Sequence, residues 1–449
     1  MKPPKSRKAE LGPNASGGEK SHAETAESAE FKMTELGPIP MDWEVKNIGQ
    51  CGEVITGSTP PRGISELWGG SFNWISAKDF RGKYIISSDE KITEAGKRYC
   101  RVLHRNSVLV TCIASIGLNA IAKRSCATNQ QINAVVCRDC DYEYFYYQCC
   151  FNESRLRQMA GQTAVPIIGK SQFEAFHIAL PKEIKEQRRI AGALSDVDEL
   201  ISALGKLIEK KRNIKTGAMQ QLLTGKTRLP GFSVKSPRSL RPLRDEDSPA
   251  ANAEVAEYKM TELGPIPKDW EVKRLGEIVN IMDNPRVPLS ESQRKSGIFP
   301  YCGANGIVDF IDRYEFDEEA ILIAEDGGNF SDFATRPIAY KMSGKYWVNN
   351  HAHVLTAKVG CELDYLLFHL AHKDITDIIS GGTRAKLTRG QLENIIISLP
   401  TLAEQKAIAA VLSDIDAEIA ALEADRAKYE RIKTGMMQEL LTGKTRLKP

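Results

Sequence analysis

The chain has 449 residues, of which 42% are hydrophobic and 27% charged. That length supports two or three domains with sizeable cores, and no apolar run approaches the ~20 residues that cross a bilayer. A net charge of only +3 excludes a uniformly basic coat, so a nucleic-acid ligand would have to be met by local patches.

Residues 1–32 are rich in Ala, Glu, Ser, Lys and Gly and lack an apolar segment. They read as a disordered tail rather than a signal peptide, which makes the expected location cytoplasmic. A Gly/Pro turn at 35–43 opens a first domain, 33–181, with Trp43 expected in its core. Short apolar runs follow (FNWIS, KYIIS, SVLVTCIASI, NAIA, INAVVC), divided by Gly, Asp and Asn turns, so this domain reads as β-rich. A helix over 142–159 and a last strand at 178–180, stopped by Pro181, complete it. Cys137 and Cys140, followed by Cys149 and Cys150, can be drawn as a zinc site. They close an apolar strand without a second spaced pair or histidines, so no metal is expected.

From about 183 to 224 the period changes, within a first spacer helix that spans 182–230. Ile190, Leu194, Val197, Ile201, Leu204 and Ile208 are spaced 4, 3, 4, 3, 4, the a/d seam of a coiled coil. About 40 residues of helix make a rod of about 60 Å. Gly217 is expected to interrupt it, with LLTGKTRL as its cap. Residues 181–230 carry eleven Lys/Arg against six Asp/Glu. A Pro-, Ser- and charge-rich linker occupies 231–259.

The second half repeats the plan. Residues 260–400 form a second domain, with a turn at 263–270, several strands, a helix over 364–379 and a strand at 395–399. Its charge leans the other way, fifteen Lys/Arg against twenty Asp/Glu over 261–400. Residues 401–449 form the second spacer helix, with Ile408, Leu412, Ile415, Ile419 and Leu422 in the seam. Two seams in one chain satisfy each other as an intramolecular coiled coil. Two amphipathic helices on a globular core are the alternative, against which the strict 3.5 period argues.

The duplication is direct. Residues 33–50 and 260–277 agree at fourteen of eighteen positions, and 214–229 and 432–447 at fourteen of sixteen. The interiors between these matched ends share almost nothing. A duplicated frame with divergent inserts suits a protein that reads two different things at a fixed separation.

Catalytic motifs fail on inspection. Gly225-Lys226-Thr227 and Gly443-Lys444-Thr445 resemble the end of a P-loop, but the required earlier glycines are Gln220 and Gln438, and helix precedes rather than follows. Asn284-Pro285-Arg286-Val287 lacks the second proline and the aromatic of an adenine methyltransferase. Glu325-Asp326-Gly327-Gly328 reads as a turn. His351 and His353 alternate along one strand without a third ligand.

Polar groups that recur in both halves are more informative. Asn129-Gln130-Gln131 and Asn349-Asn350-His351 each open a β-run. Gln162 and Thr163 correspond to Thr383 and Arg384, shortly before the last strand of each domain. Lys78, Arg81, Lys83 and Asn305 supply further tips. A solvated loop is the plain reading of any one of them; recurrence despite divergence favours recognition. Amide side chains pair bidentately with adenine edges, and His meets a base as donor or acceptor.

These features together resemble the specificity subunit of type I restriction–modification systems. The resemblance rests on the LGxIPxDWEV openings, FNWISAKDFRGKYI, YCGANGIVDFIDRY, the EQxxIAxxLSDxD starts of both rods and their IKTGxMQxLLTGKTRL ends, and covers 34–230 and 260–449. It implies an α+β pseudo-twofold tandem repeat: two β-rich target-recognition domains separated by two long antiparallel helices. It implies double-stranded DNA as ligand, read as a bipartite, asymmetric target. Two methyltransferase subunits and two restriction/motor subunits would be partners, holding S-adenosylmethionine, ATP and Mg²⁺. The chain itself would be non-catalytic. A coiled-coil scaffold with two protein-binding β domains is the alternative; a single-chain DNA methyltransferase or nuclease is disfavoured by the failed motifs.

Overall fold

The computed structural model describes residues 30–161, 165–232, 258–379 and 385–447. The expected tail (up to residue 29) and most of the linker (233–257) lie outside these. The chain forms two compact units: one runs through Asp198 and takes the chain back from Arg431, and the other is Glu199–Glu430. Both unit boundaries fall inside the two long helices, Ile184–Leu222 and Leu402–Leu440, so each unit contains a stretch of both.

In the first unit a five-stranded sheet has the order Gly52–Thr56, Ile132–Cys137, Val108–Thr111, Asn119–Ala122, Tyr84–Ile85. Val108–Thr111 is buried along its whole length, which is why its run is continuously apolar rather than alternating. A smaller sheet sets Trp68–Ile75 between Cys126–Thr128, which is parallel to it, and Glu90–Ile92. The second unit repeats the scheme. Ala320–Ala324 lies between Ala352–Ala357 and Ala339–Met342, and Ser296–Gly303 lies between Gly306–Ile311 and the parallel Lys345–Val348.

Two helices are shorter than the sequence suggests. The 142–159 segment breaks into Tyr142–Phe151 and Glu153–Met159, where Asn152 turns its side-chain amide back onto the Gln148 carbonyl (2.8 Å). The 364–379 helix is Leu363–Leu370, because the Ala371 carbonyl accepts from the Ile338 N–H (2.8 Å) instead of from a further turn. The rods, by contrast, run unbroken through Gly217 and Gly435.

The long helices are antiparallel. Within Glu199–Glu430, Lys215 pairs with Asp416 (2.6 Å) and Arg212 with Glu423 (2.5 Å), so one residue number rises as its partner's falls. Lys211 also pairs with Glu418, and in the first unit Lys433 pairs with Asp198 (2.6 Å). No seam residue is exposed: Ile190, Leu194, Ile208, Ile408, Leu412 and Ile419 are buried, and Val197, Ile201, Leu204, Ile415 and Leu422 half-buried. Ile190 and Leu194 join the core of the first domain together with Leu440 and Leu441 from the other helix. Ile408 and Leu412 join the second core with Leu222 and Leu223.

The repeated motifs build one junction in each unit. Trp43 and Trp270, from the matched turns, are 0% and 1% exposed. Gly443 (φ +71°) packs so closely that a Cβ would sit 2.5 Å from Pro40, and Gly225 (φ +68°) stands in the same relation to Pro267. These glycines serve a tight turn over a Pro–Trp surface, which is the structural reason the GKT strings are not phosphate loops. Arg446 then clamps Glu186 and Asp42, and Arg228 clamps Glu404 and Asp269. Gln187 and Gln405, beside those glutamates, tie each helix to its own domain: Nε2 donates to the Pro181 or Pro400 carbonyl, and Oε1 accepts from the Asp141 or Glu362 N–H.

Candidate nucleic-acid interface

Recognition residues predicted far apart in sequence meet at one end of each domain. In the first, the Asn129 N–H donates to the Ile75 carbonyl (3.1 Å), which holds the 129–131 turn against the loop carrying Lys78. In the second, the Asn349 N–H donates to the Cys302 carbonyl (3.0 Å), and Asn305 stands three residues beyond Cys302 as Lys78 stands beyond Ile75. Asn129 Oδ1 accepts from the Gln131 N–H (3.1 Å), and Asn349 Oδ1 from the His351 N–H (2.8 Å). Both asparagines thus shape an Asx turn that lifts the next side chain outward. Gln130 and Asn350, the residues so lifted, are exposed, as are Lys78 and Asn305.

The equivalence extends across the sheet. The Cys112 N–H donates to the Gln131 carbonyl and the Ile168 N–H to the Cys112 carbonyl (both 2.8 Å). Glu325, His351 and Leu387 repeat both bonds in the second domain, also at 2.8 Å. Hence Gln131 matches His351, and the bridge pair Ile113–Ile167 matches Asp326–Lys386.

At that site the second domain is strongly polar. His351 Nδ1 lies 2.5 Å from Asp326 Oδ1, Lys386 pairs with Glu325 (2.9 Å), and Asn305 Nδ2 donates to the Gly327 carbonyl (2.9 Å). Asn305, Asn349, His351 and Asp326 line one concave surface. Beneath it, Arg286 holds Glu325 (2.7 Å) and the Ala352 carbonyl (2.6 Å). Burial pushes the Glu325 carboxyl up, but Lys386 and Arg286 outweigh it and hold it below the usual range. His353 sits inside, with Nδ1 2.7 Å from an Asp283 carboxylate oxygen and Nε2 2.8 Å from the Leu387 carbonyl. His351 is solvent-facing and His353 internal; they do not form a pair.

Other predicted residues are placed differently. Lys83 is a correction: its side chain is 9% exposed, and the ammonium bonds Tyr147 Oη (3.1 Å) and Ser195 Oγ (2.5 Å) near Glu143. Burial lowers its pKa in spite of Glu143, and the group fastens the first domain to the first long helix rather than facing a ligand. Arg81 is exposed and pairs with Asp89 (2.6 Å). Gln162, Thr163, Thr383 and Arg384 lie outside the described residues. Lys386 and Ile113 were not singled out from sequence, Asp326 was read only as part of a turn and Gln131 only as the end of a polar triplet; the correspondence of 112 with 325, visible only through hydrogen bonding, is what brings them together.

The cysteines pack as thiols. Burial pushes Cys112 up to about 11 and Cys126 to about 12. Among the described residues no group of three or more His, Cys, Asp or Glu is placed to hold a metal, and no helix is long and apolar enough to cross a membrane.

The pattern of a family described as "Type I restriction modification DNA specificity domain" matches the chain twice, over residues 40–213 and 267–433. The MjaIX type I restriction enzyme specificity subunit of Methanocaldococcus jannaschii is 26% identical over 445 residues, covering 93% of this chain and 97% of that one. The MjaVIII specificity subunit of the same organism is 28% identical over 449 residues, covering 91% and 94%. Among solved structures, the S subunit of a type I restriction–modification system from M. genitalium is similar in fold, with a TM-score of 0.59 at 16% identity. That similarity covers 91% of this chain and 97% of the other.

Proposed function

This chain belongs to the type I restriction–modification DNA specificity family, and from that membership we infer how its parts divide the work. It is the DNA-recognition subunit of such a system and not its catalytic component; it binds DNA and acts within a restriction–modification complex. Each domain reads one half of a bipartite, asymmetric duplex target. The observation that carries this is the pair of equivalent Asx turns, Asn129–Gln131 and Asn349–His351, which lift Gln130 and Asn350 at matching places of two domains that otherwise differ.

Within that reading, Lys78 and Arg81 position the protein through phosphates, which carry no sequence information. Gln130, Asn305, Asn350 and His351 reach base edges in the major groove, while Asn129 and Asn349 set the turns. Gln162, Thr163, Thr383 and Arg384 belong to the set on sequence grounds. Two methyltransferase subunits and two motor–nuclease subunits assemble with the chain and hold S-adenosylmethionine, ATP and Mg²⁺.

Adenine-methylome sequencing of cells with and without this chain tests the function. Loss of a single two-part methylated motif is the expected result. An unchanged methylome, with the chain and its methyltransferase both expressed, overturns the reading in favour of a protein-binding scaffold.

A further inference from the structure

Around the equivalent Asx turns the two domains share single backbone hydrogen bonds, yet one pair of bridge positions there carries opposite chemistry. In the first domain Ile113 faces Ile167, and the flanking bonds (Ile168 N–H to Cys112 O, 2.8 Å; Ala114 N–H to Pro166 O, 3.0 Å) make this a close, non-hydrogen-bonded pair with both side chains on one face. Ile167 is 51% exposed and the neighbouring Val165 52%. A patch of β-branched aliphatics beside amide-bearing turns is costly to leave wet unless it meets something apolar. In the second domain the same two positions are Asp326 and Lys386, with His351 on Asp326. Side-chain exposure is 34% for Asp326 and 50% for both His351 and Lys386, whose ammonium also pairs with Glu325 (2.9 Å).

We propose that this bridge pair decides which base pair each domain accepts there: Ile113–Ile167 takes the 5-methyl group of thymine, and Asp326–Lys386 takes a C·G pair. The inference rests on the DNA-reading function above. Its chemistry follows from the major groove, where the methyl marks thymine, the cytosine N4 amine donates to a carboxylate, and guanine O6 and N7 accept from a lysine. Gln130 precedes Gln131, whose carbonyl accepts from the Cys112 N–H, and its exposed amide, which accepts from Thr59 Oγ1, is suited to adenine on the same pair's other strand. Asp326 held by His351 is presented as a fixed acceptor.

The test is selection of a random duplex library by the full chain assembled with its methyltransferase subunits, followed by base-by-base substitution of the selected sequence. The wild-type chain should select a two-part motif with T·A in one half and C·G in the other. Replacing that thymine by uracil, which lacks only the methyl, should weaken binding about fourfold with the wild-type protein, so folding is not in question. Asp326→Asn, which turns the acceptor into an amide, should cut preference for C·G on the order of 10-fold and leave the other half of the motif unchanged. Ile167→Lys should do the converse. A two-part motif insensitive to uracil and to both variants overturns the proposal while DNA reading stands. A uniform loss of affinity on all sequences from Asp326→Asn also overturns it. Failure of the wild-type complex to select any two-part motif refutes the underlying function itself.

Discussion

Arg446 holds Glu186, 260 residues earlier, through two parallel bonds: Nε to Oε1 at 2.6 Å and Nη2 to Oε2 at 2.8 Å. Its remaining edge takes Asp42, so the segment that follows the second long helix, the first turn of the first and the opening turn of the domain share one guanidinium. Arg228 repeats this with Glu404 (2.9 and 2.5 Å) and Asp269. Bidentate geometry explains why the motif ends in Arg rather than Lys.

Removing one partner of a buried pair leaves the other charge uncompensated, at about 3–5 kcal/mol. Arg228 and Glu404 are 6% and 1% exposed, whereas Arg446 is 33% exposed. Arg228→Ala is therefore expected to lose most of that range and Arg446→Ala clearly less. Urea titration of each variant measures it; equal losses would contradict the burial argument.

Glycine substitutions should split by site. Gly225→Ala puts a Cβ against Pro267 at a left-handed φ and should destabilise by about 1–3 kcal/mol. Gly205, mid-helix with open space around its Cβ position, should gain up to about 1 kcal/mol as Ala. Melting temperatures moving in opposite directions are expected; a loss at both positions would mean the rod tolerates no side chain at 205.

The second unit should carry a histidine-dependent acid sensitivity. Burial pushes His369 down to about 3, and its Nε2 has no hydrogen-bond partner. The folded pKa lies below the ordinary 6.5, so the stability linked to the neutral ring is full above pH 6.5 and is lost as pH falls toward 3, by at most about 1.4 kcal/mol per pH unit. His369→Gln should flatten stability between pH 6.5 and 4.5. An unchanged pH profile in that variant would assign the slope to other groups.

Lys83 and Lys78 should separate stability from binding. Lys83→Ala is expected to cost about 1–3 kcal/mol of stability, since it strips partners from Tyr147 and Ser195, with DNA affinity unchanged. Lys78→Ala should leave stability alone and reduce the salt dependence of DNA binding by about one phosphate contact. Salt-titrated binding alongside denaturation distinguishes them, and a binding defect confined to Lys83→Ala would reverse the assignment.

The plan was legible in the residues alone: two matched frames, β-rich interiors, helical rods with an a/d seam, and Trp43 buried at its turn. Those features are local or periodic, and periodicity reports directly which face of a strand or helix is apolar. The break at Asn152, the early end at Leu370 and the continuity through Gly217 were not legible, because each turns on a hydrogen bond or packing environment that the local period does not record. That Lys83 points inward while Lys78 and Asn305 are exposed emerged only from the folded contacts. Those contacts also placed Ile113–Ile167 opposite in chemistry to Asp326–Lys386 at one shared position. The physical reason is that a polar side chain's role depends on what sits across from it, and here that partner lies on strands and loops tens of residues away.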